Sequence, residues 1–578
     1  MQSASGTIGS RIFSREEKLS GKVECPPLDA DADLPAGAVQ EPRAEEGVAP
    51  AEKCKENGRK GPAQASYLDI GAVARSPRLC PPEPDLPILA HVTGKLSAFA
   101  GLGRPDTGAR VVIRSHRPLL LVAAVFVVSR AAAYIAGIRF DVSSLDYFWQ
   151  YLDPLLLKTR LLESVFYLHS QPPLFNLLLG VGLKLAPGHF GAAMHIAYSL
   201  LGLLLSLALY LVLMRIGVRR WPSAVVAALL SATPAFLLYE NWLFYEYPVA
   251  TLLLLSVLAL SEFLWRGSLW SGTAFFVLVA LVVYIRAIFQ PPWLILVIAL
   301  LLVARPDLRR KVVATSALPT LAVLLLVVKN LVVFGLPTTS SWFGMNLVHA
   351  VYHATPEAER RQLVERRKLS RASLTPPFSP PADYLQLVPP PSPTGVPALD
   401  QLWKSGGRPN MNSKIMVKAS RSYFGDALYL IRTRPNVWAR AIVREGRVYL
   451  RPTTDAPFVF KNRSKIDVYN DLVDRYVLLD FSIGWTTLAA HVLALLYGLR
   501  LTYRLLRRRI AASVASITLA YVWLTLAVGT VVIMFTPQVN ENNRVRFFLD
   551  PLVVILVALP IGGGVRLLAQ RLITWRST

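Results

Sequence analysis

The feature that most limits the fold of this chain is a series of long apolar runs separated by short charged joints. The chain has 578 residues, of which 53% are hydrophobic and 17% are charged. Runs of about 17 to 25 apolar residues match the hydrocarbon thickness of a bilayer, roughly 30 Å. In lipid only helices and closed barrels satisfy their backbone polar groups, and long runs without alternation indicate helices. The sequence therefore predicts an all-α polytopic membrane protein.

Ten of the apolar runs are predicted to cross the membrane. Their approximate bounds are 118–138, 192–214, 223–239, 248–265, 270–285, 288–304, 313–334, 480–499, 511–535 and 548–569. A further run, 172–186, is short for a span. Counting it as a span would place most basic joints outside the cell, against the positive-inside bias. We therefore expect 172–186 to lie at the outer surface or to dip into the membrane and return, with both chain termini cytoplasmic.

The predicted spans divide the chain into four regions. Residues 1–112 are rich in Pro, Ala, Gly and Glu without a helical or strand period, which predicts a disordered cytoplasmic tail. Residues 113–334 form a transmembrane core that includes a first outer loop at 139–191. A large outer loop, 335–479, and the C-terminal transmembrane helices, 480–578, complete the chain.

Charge and cysteine content exclude some function classes. The formal net charge is +25, but Lys and Arg cluster at span ends, where they fix topology and meet anionic headgroups, so no nucleic-acid partner is expected. The three cysteines lie in the tail without CxxC spacing. They therefore indicate neither a metal site nor a disulfide framework. The sequon Asn462-Arg463-Ser464 permits glycosylation in a eukaryotic host, although such triplets often arise by chance.

Acidic residues in the first outer loop are the first candidates for chemistry. Asp141 is the first of them after the first span, Asp146 follows, and the loop ends in His169-Ser170-Gln171-Pro172-Pro173-Leu174. A carboxylate that faces an enclosed outer site can act as general base on an acceptor hydroxyl. The competing interpretation for any single Asp is a solvated loop side chain.

This arrangement resembles the GT-C superfamily of membrane glycosyltransferases. An acidic motif after the first span, a juxtamembrane stretch and a Pro-Pro-Leu segment are similar to protein O-mannosyltransferases, the aminoarabinose transferase of lipid A and related dolichyl-phosphate-mannose-protein mannosyltransferase-like proteins. The resemblance covers about 115–335 and weakly 535–560. It implies a GT-C-like helical bundle with Asp141 as the catalytic base. The family motif is often Asp-Glu, whereas Val142 follows Asp141 here, which makes Asp146 the substitute candidate.

The joint Tyr239–Pro248 is predicted to contribute to substrate binding. It combines Glu240 and Glu246 with five aromatic rings in one short turn. Interfacial Trp and Tyr often form a membrane belt, which explains the rings but not the glutamates. Aromatic faces and carboxylates together suit a sugar, and the predicted substrate-binding set also includes His169 and Gln171.

Cations at the outer joints are predicted to bind the donor phosphate. Arg286 lies between two predicted spans, and Arg544 and Arg546 precede the last one. Arg can stabilise the charge of a departing lipid phosphate bidentately. The alternative is that these cations snorkel at span ends, which is the favoured interpretation for Lys329. Charged residues within membrane proteins are costly and often functional.

The sequence thus predicts a glycosyltransferase that moves a sugar from a polyprenyl- or dolichyl-phosphate donor to an acceptor glycan, lipid or protein on the non-cytoplasmic face, with inversion. The expected location is the bacterial inner membrane or the endoplasmic reticulum, among membrane lipids. No cofactor besides the lipid-linked sugar and no divalent metal is indicated. The alternatives are a lipid or sugar transporter or flippase, for which we find no internal repeat, and a non-catalytic GT-C-fold assembly factor.

Overall fold

The computed structural model describes residues 109–480, 483–536 and 540–562. Within these residues the chain is all-α apart from isolated β-bridges. Most of the predicted disordered tail, and the end of the last predicted span, lie outside the described residues. The first helix of the described residues begins at Ala109, earlier than the sequence predicts, and continues through Pro118.

The longer helices are numbered here in chain order. They are α1 (Ala109–Ile135), α2 (Leu174–Leu185), α3 (Phe190–Arg215), α4 (Arg220–Ala232), α5 (Pro234–Glu240), α6 (Glu246–Arg266), α7 (Leu269–Ile285), α8 (Pro291–Ala304), α9 (Arg309–Phe334), α10 (Phe343–Ala354), α11 (Ile415–Thr433), α12 (Pro435–Leu450), α13 (Trp485–Leu506), α14 (Val514–Phe535) and α15 (Asn542–Gly562). Shorter helices include Ser144–Tyr147, Pro154–Thr159, Leu161–Phe166, Glu357–Glu365, Pro397–Asp400, Phe460–Arg463 and Asp467–Val473.

Among the described residues, six helices are long and apolar enough to cross a membrane. They are α1 from His116 onward, α3, α6, the segment Pro306–Phe334 that contains α9, α14 and α15. Each coincides with a span predicted from the sequence. These helices confirm an all-α protein with several membrane-spanning segments.

The other four predicted spans coincide with helices that are bent, short or less apolar. The pair α4 and α5 bends by 58° at Thr233, because a residue before proline is pushed out of the helical region; its ψ is 151°. The helices α7 and α8 have 17 and 14 residues. Helix α13 carries Arg500 and Arg504 within its length.

The run 172–186 forms the short helix α2. Its 12 residues extend about 18 Å at 1.5 Å per residue, which is less than a bilayer crossing. That this run does not span the membrane stays a prediction.

The large outer loop is a folded helical unit with its own apolar core. Its central residues include Met345, Val351, Met416 and Tyr423, contributed mainly by α10 and α11. These two helices approach closely at Gly344, where an added Cβ would lie 1.9 Å from the Ser420 carbonyl oxygen. Helix α12 leaves this unit and packs against α14 and the start of α15.

Asn462 of the sequon is buried and joins the large outer loop to the first one. Its Nδ2 donates to the Arg139 carbonyl at 2.8 Å, and its Oδ1 accepts from the Arg139 N–H at 3.2 Å. The side-chain amide that would carry a glycan is therefore engaged inside the folded protein, against the glycosylation considered above.

Candidate functional site

The first outer loop and the joint between α5 and α6 are bound together. The Asp141 N–H donates to the Asn241 carbonyl at 2.8 Å, and the Leu243 N–H donates to the Asp141 carbonyl at 3.0 Å. Tyr151 Oη and Ser144 Oγ each donate to the Leu243 carbonyl at 2.7 Å. Two features that the sequence singles out separately thus lie side by side.

An arginine cluster, defined as Glu246, Arg286, Glu541 and Arg544, lies next to this junction. Arg544 Nη1 is 2.7 Å from Glu246 Oε1, and Arg286 Nη2 is 3.7 Å from the same oxygen. Arg544 Nη2 donates to Glu541 Oε2 at 2.7 Å. The structure therefore brings Arg286 and Arg544 onto one carboxylate.

Because the arginine cluster is buried, a charge in it that loses its partner is costly. Arg286 is 3% exposed, whereas Glu246 and Arg544 are fully buried. Removal of one partner from a buried ion pair leaves an uncompensated charge and typically costs about 3–5 kcal/mol. Arg286 Nη1 donates to the Tyr245 hydroxyl, but Arg286 Nε and Nη2 have no hydrogen-bond acceptor among the described residues. Arg286 thus has donors to spare.

Arg286 lines a cavity of about 280 Å³, here called the outer cavity. One part of its wall is polar and the other, from the end of α14, is apolar. The polar lining includes Gln171, Gln290, Ser340, Asn346 and Asn542, and the apolar lining includes Val531, Val532, Ile533 and Phe535. Arg544 supports Arg286 through Glu246 and does not itself line this cavity.

A smaller cavity of about 60 Å³ adjoins the outer cavity, and both are lined by Trp342 and Asn346. Its remaining lining comes from the first outer loop (Trp149 and Gln150), from the large outer loop (His349 and Phe378) and from Glu541 before the last described helix. We call it the side cavity. None of these five residues is predicted from the sequence to belong to the site, although Glu541 lies in the same polar segment as Arg544.

The predicted bases, Asp141 and Asp146, line neither cavity. Asp141 is partly buried, and its Oδ1 accepts the Ser143 N–H at 2.9 Å. Asp146 is exposed. The structure therefore separates these two carboxylates from Glu541, which lines the side cavity.

His169 is buried and does not line the outer cavity, whereas Gln171 lines it. His169 Nδ1 is 2.8 Å from Ser341 Oγ, and the His169 N–H donates to Asn412 Oδ1 at 2.9 Å. Burial lowers the pKa of His169 to about 3, so the ring is neutral at physiological pH. His169 joins the first loop to the large outer loop.

Lys329 contacts the backbone just before His169 in the first outer loop. Its Nζ donates to the carbonyls of Phe166 and Leu168, each at 3.0 Å. Lys329 thereby satisfies backbone groups at the end of the first loop, in addition to the snorkelling expected of a cation at a span end.

Glu240 is committed to an ion pair inside the helical core. Arg130 Nη2 lies 2.5 Å from Glu240 Oε2, and Tyr247 Oη donates to the same oxygen at 2.8 Å. Gly202 on α3 leaves room for this group, since a Cβ there would lie 2.3 Å from Glu240 Oε2. Arg130 is not among the residues predicted from the sequence, although a cation within an apolar run is a signal that identifies it.

Arg546 belongs to a different region. Its Nε donates to Asp550 Oδ1 at 3.0 Å, and its Nη1 donates to the Tyr449 carbonyl. It lines a mostly apolar cavity of about 200 Å³ together with Pro234, Thr487 and His491. Arg546 is therefore apart from the arginine cluster with which the sequence groups it.

The outer cavity can bind an anion beside Arg286, and the adjoining side cavity can bind hydrogen-bonding groups beside Glu541. The arrangement suits an amphipathic substrate, because polar groups face an apolar wall. No known family model, curated protein or solved structure matches the chain.

Proposed function

We propose that this protein is a membrane glycosyltransferase that moves a sugar from a polyprenyl- or dolichyl-phosphate carrier to an acceptor on the non-cytoplasmic face, with inversion. The proposal rests mainly on Arg286, whose Nε and Nη2 have no acceptor among the described residues and which lines the outer cavity. Buried polar atoms are normally hydrogen-bonded. Two phosphate oxygens would satisfy the planar guanidinium and stabilise the leaving group as it gains charge.

The apolar wall of the outer cavity supports a lipid-linked donor. Val531 and Phe535 line this cavity, yet they are 53% and 44% exposed on α14. Exposed apolar side chains on a membrane-spanning helix contact lipid chains. A prenyl chain can therefore lie along α14 while its phosphate reaches Arg286.

The proposal includes a GT-C-like bundle of ten spans. The pair α4 and α5 together with α7, α8 and α13 would then cross the membrane with the six longer spans. The coincidence of all ten predicted runs with described helices supports this count.

Donor binding tests the role of the arginine cluster. In purified protein, Arg286→Ala should weaken binding of farnesyl phosphate by about 10- to 100-fold, since hydrogen bonds to charged groups contribute about 1.5–3 kcal/mol. Arg286→Lys should restore little, because a point charge lacks the planar fork. Arg544→Ala should weaken binding too, since it removes the partner that holds Glu246.

Arg310→Ala is the matched control for lost positive charge, because Arg310 is exposed at the start of α9. Its affinity for farnesyl phosphate should equal that of the wild type. Wild-type affinity in both Arg286 variants would mean that this cation has only a structural role.

Turnover tests which carboxylate is the base. We propose Asp141 for its place after the first span, and Asp141→Asn should then lower turnover about 10²- to 10⁴-fold while donor binding persists. Asp146→Asn should lose much less, because Asp146 is exposed. Glu541→Gln belongs in the same series, because Glu541 lines the side cavity.

The pattern of losses assigns the chemistry. A loss confined to Glu541→Gln would move the base from Asp141 to Glu541 and keep the glycosyltransferase. Full activity in all three variants would exclude these carboxylates as the base. Donor binding without any transfer by the wild type would favour a transporter or an assembly factor.

A further inference from the structure

We propose that the side cavity is a carbohydrate subsite, which holds a hydroxylated edge of the acceptor; this inference rests on the proposed function and specifies its acceptor as a sugar. The side cavity exceeds the roughly 10–15 Å³ that one water molecule needs, and its volume of about 60 Å³ admits hydroxyl groups but no large apolar chain. The adjoining outer cavity provides room for the rest of the ligand.

Three lining residues present buried polar atoms that no described protein group satisfies. They are Gln150 Oε1, Trp342 Nε1 and His349 Nδ1. Gln150 is 8% exposed and Trp342 is 3% exposed. An unsatisfied buried donor or acceptor costs about 1–3 kcal/mol. The three atoms combine an acceptor, a donor and a ring nitrogen, and sugar hydroxyl groups can both donate and accept.

Glu541 adds a carboxylate to these groups. Its Oε2 accepts from Arg544 Nη2 at 2.7 Å, and its side chain is 30% exposed. The carboxylate is thus held on one side and accessible on the other. It can accept a charge-assisted hydrogen bond from an acceptor hydroxyl.

Aromatic rings supply the apolar part of the subsite. Trp149 stacks on Phe378 with ring centroids 6.0 Å apart and planes at 11°, and Trp149 remains 43% exposed. Trp342 meets Phe378 edge-on at 5.2 Å. Sites that combine aromatic surfaces with a few convergent polar groups bind small molecules, and a sugar ring offers an apolar face together with hydroxyl edges.

Separate contacts hold the three segments that form the subsite. Asn176 of α2 donates to the Gln150 carbonyl at 3.1 Å. Glu445 of α12 accepts the Asn540 N–H at 3.1 Å, next to Glu541. His349 lies on α10, within the large outer unit. The large outer unit therefore contributes a wall of the subsite, which gives this part of the chain a role in acceptor recognition.

Glycoside binding without donor tests the subsite. The full-length protein, purified in a detergent without sugar, would be titrated with methyl glycosides of glucose, mannose, galactose and arabinose by saturation-transfer NMR. At least one glycoside should bind saturably. Trp149→Ala should weaken it at least tenfold by removing the exposed ring, and Glu541→Gln should do so by removing the charge.

Matched controls are Trp270→Ala, which removes an 82% exposed ring at the start of α7, and Glu163→Gln, in the short helix Leu161–Phe166. Both should bind the glycoside like the wild type. Gel filtration and the melting temperature establish that each variant folds. If Glu541→Gln does not fold, Trp149→Ala decides, because that ring is partly exposed.

The outcomes separate this inference from the proposed function. Failure of all four glycosides to bind the wild type, or equal affinity in wild type, Trp149→Ala and folded Glu541→Gln, would overturn the subsite. Transfer from a lipid-phosphate sugar could still be measured in that case. If the wild type binds a glycoside, these variants lose that binding and no transfer from a lipid-phosphate sugar is measured, the subsite is supported and the proposed glycosyltransferase activity is contradicted.

Discussion

His169 is a buried histidine whose charge state affects the stability of the folded protein. The ring is 1% exposed and contacts Phe334 edge-on at 4.7 Å. Burial, together with a smaller effect of the positive charge of Lys329, lowers its pKa to about 3. The ordinary value in an unfolded chain is about 6.5. The folded protein therefore binds fewer protons at His169 than the unfolded chain between these two values.

We expect His169 to make the protein less stable as the pH falls from about 6.5 towards 3, because proton uptake favours the unfolded chain. At pH 5 the contribution is roughly 2 kcal/mol, from 1.36 kcal/mol per pKa unit. The variant His169→Asn keeps a polar group near Ser341 but does not titrate. Its melting temperature should be below that of the wild type at pH 8, and the difference should narrow at pH 5.

All other titratable groups are common to the two proteins, so the difference between their melting temperatures isolates His169. A constant difference from pH 8 to pH 5 would show that His169 is not buried as a neutral ring.

Some residues of the candidate site can be identified from the sequence, and others cannot. Arg286 and Gln171 are recognisable because polar groups at the outer joints of spans point to a site, and both line the outer cavity. Gln150 and His349 are not recognisable, because ordinary polar residues in outer loops acquire a role only when distant segments meet. Arg546 is misgrouped, because residues two apart in a helix point in different directions.

At the scale of elements, the contact between α10 and α11 depends on Gly344. A Cβ at Gly344 would approach the Ser420 carbonyl to 1.9 Å, and backbone cannot rotate away as a flexible side chain can. Gly344→Ala should therefore separate the helices and lower stability by roughly 1–3 kcal/mol. Thermal unfolding of the purified protein measures this loss.

Gly425→Ala, on α11, is the control for replacing a helical glycine. A Cβ at Gly425 meets nothing within 4 Å, and Ala favours a helix over Gly by about 0.8–1.0 kcal/mol. Its melting temperature should equal or exceed that of the wild type. Similar changes in both variants would refute a specific contact at Gly344.

Apolar runs predict helices well because both depend on the same local pattern. The positions of α3, α6 and α14 follow directly from their runs. The bend between α4 and α5 is harder to predict from the sequence. The pair Thr233-Pro234 marks its position, but an apolar run through proline can be straight or bent. The fold of the large outer unit depends on contacts between distant residues, such as Gly344 with Ser420, which no local pattern records.

At the scale of the whole molecule, cysteine labelling tests the proposed topology. The three native cysteines, all in the tail, would first be replaced by Ser. Single cysteines at the exposed positions Arg219, Arg310 and Arg408 would then be treated with a membrane-impermeant maleimide on intact cells. With ten spans and cytoplasmic termini, Arg408→Cys should react and the other two should not.

Permeabilised cells provide the positive control, since all three cysteines should then react. Reaction of Arg219→Cys in intact cells would place the joint between α3 and α4 outside. The segment containing α2 would then have to cross the membrane.

The pairing of Arg130 with Glu240 has a consequence for biosynthesis. The two residues are 110 positions apart, so a ribosome releases α1 long before it completes α5. An arginine at the centre of a membrane-spanning helix costs about 2.5–3.5 kcal/mol to insert on its own. Arg130 lies nearer the end of α1, and its carboxylate partner does not yet exist. Until α5 arrives, water or lipid headgroups must satisfy the charge that Glu240 neutralises in the folded protein. Among the described membrane-spanning helices, the first to be translated thus completes this ion pair only after α5 has been made.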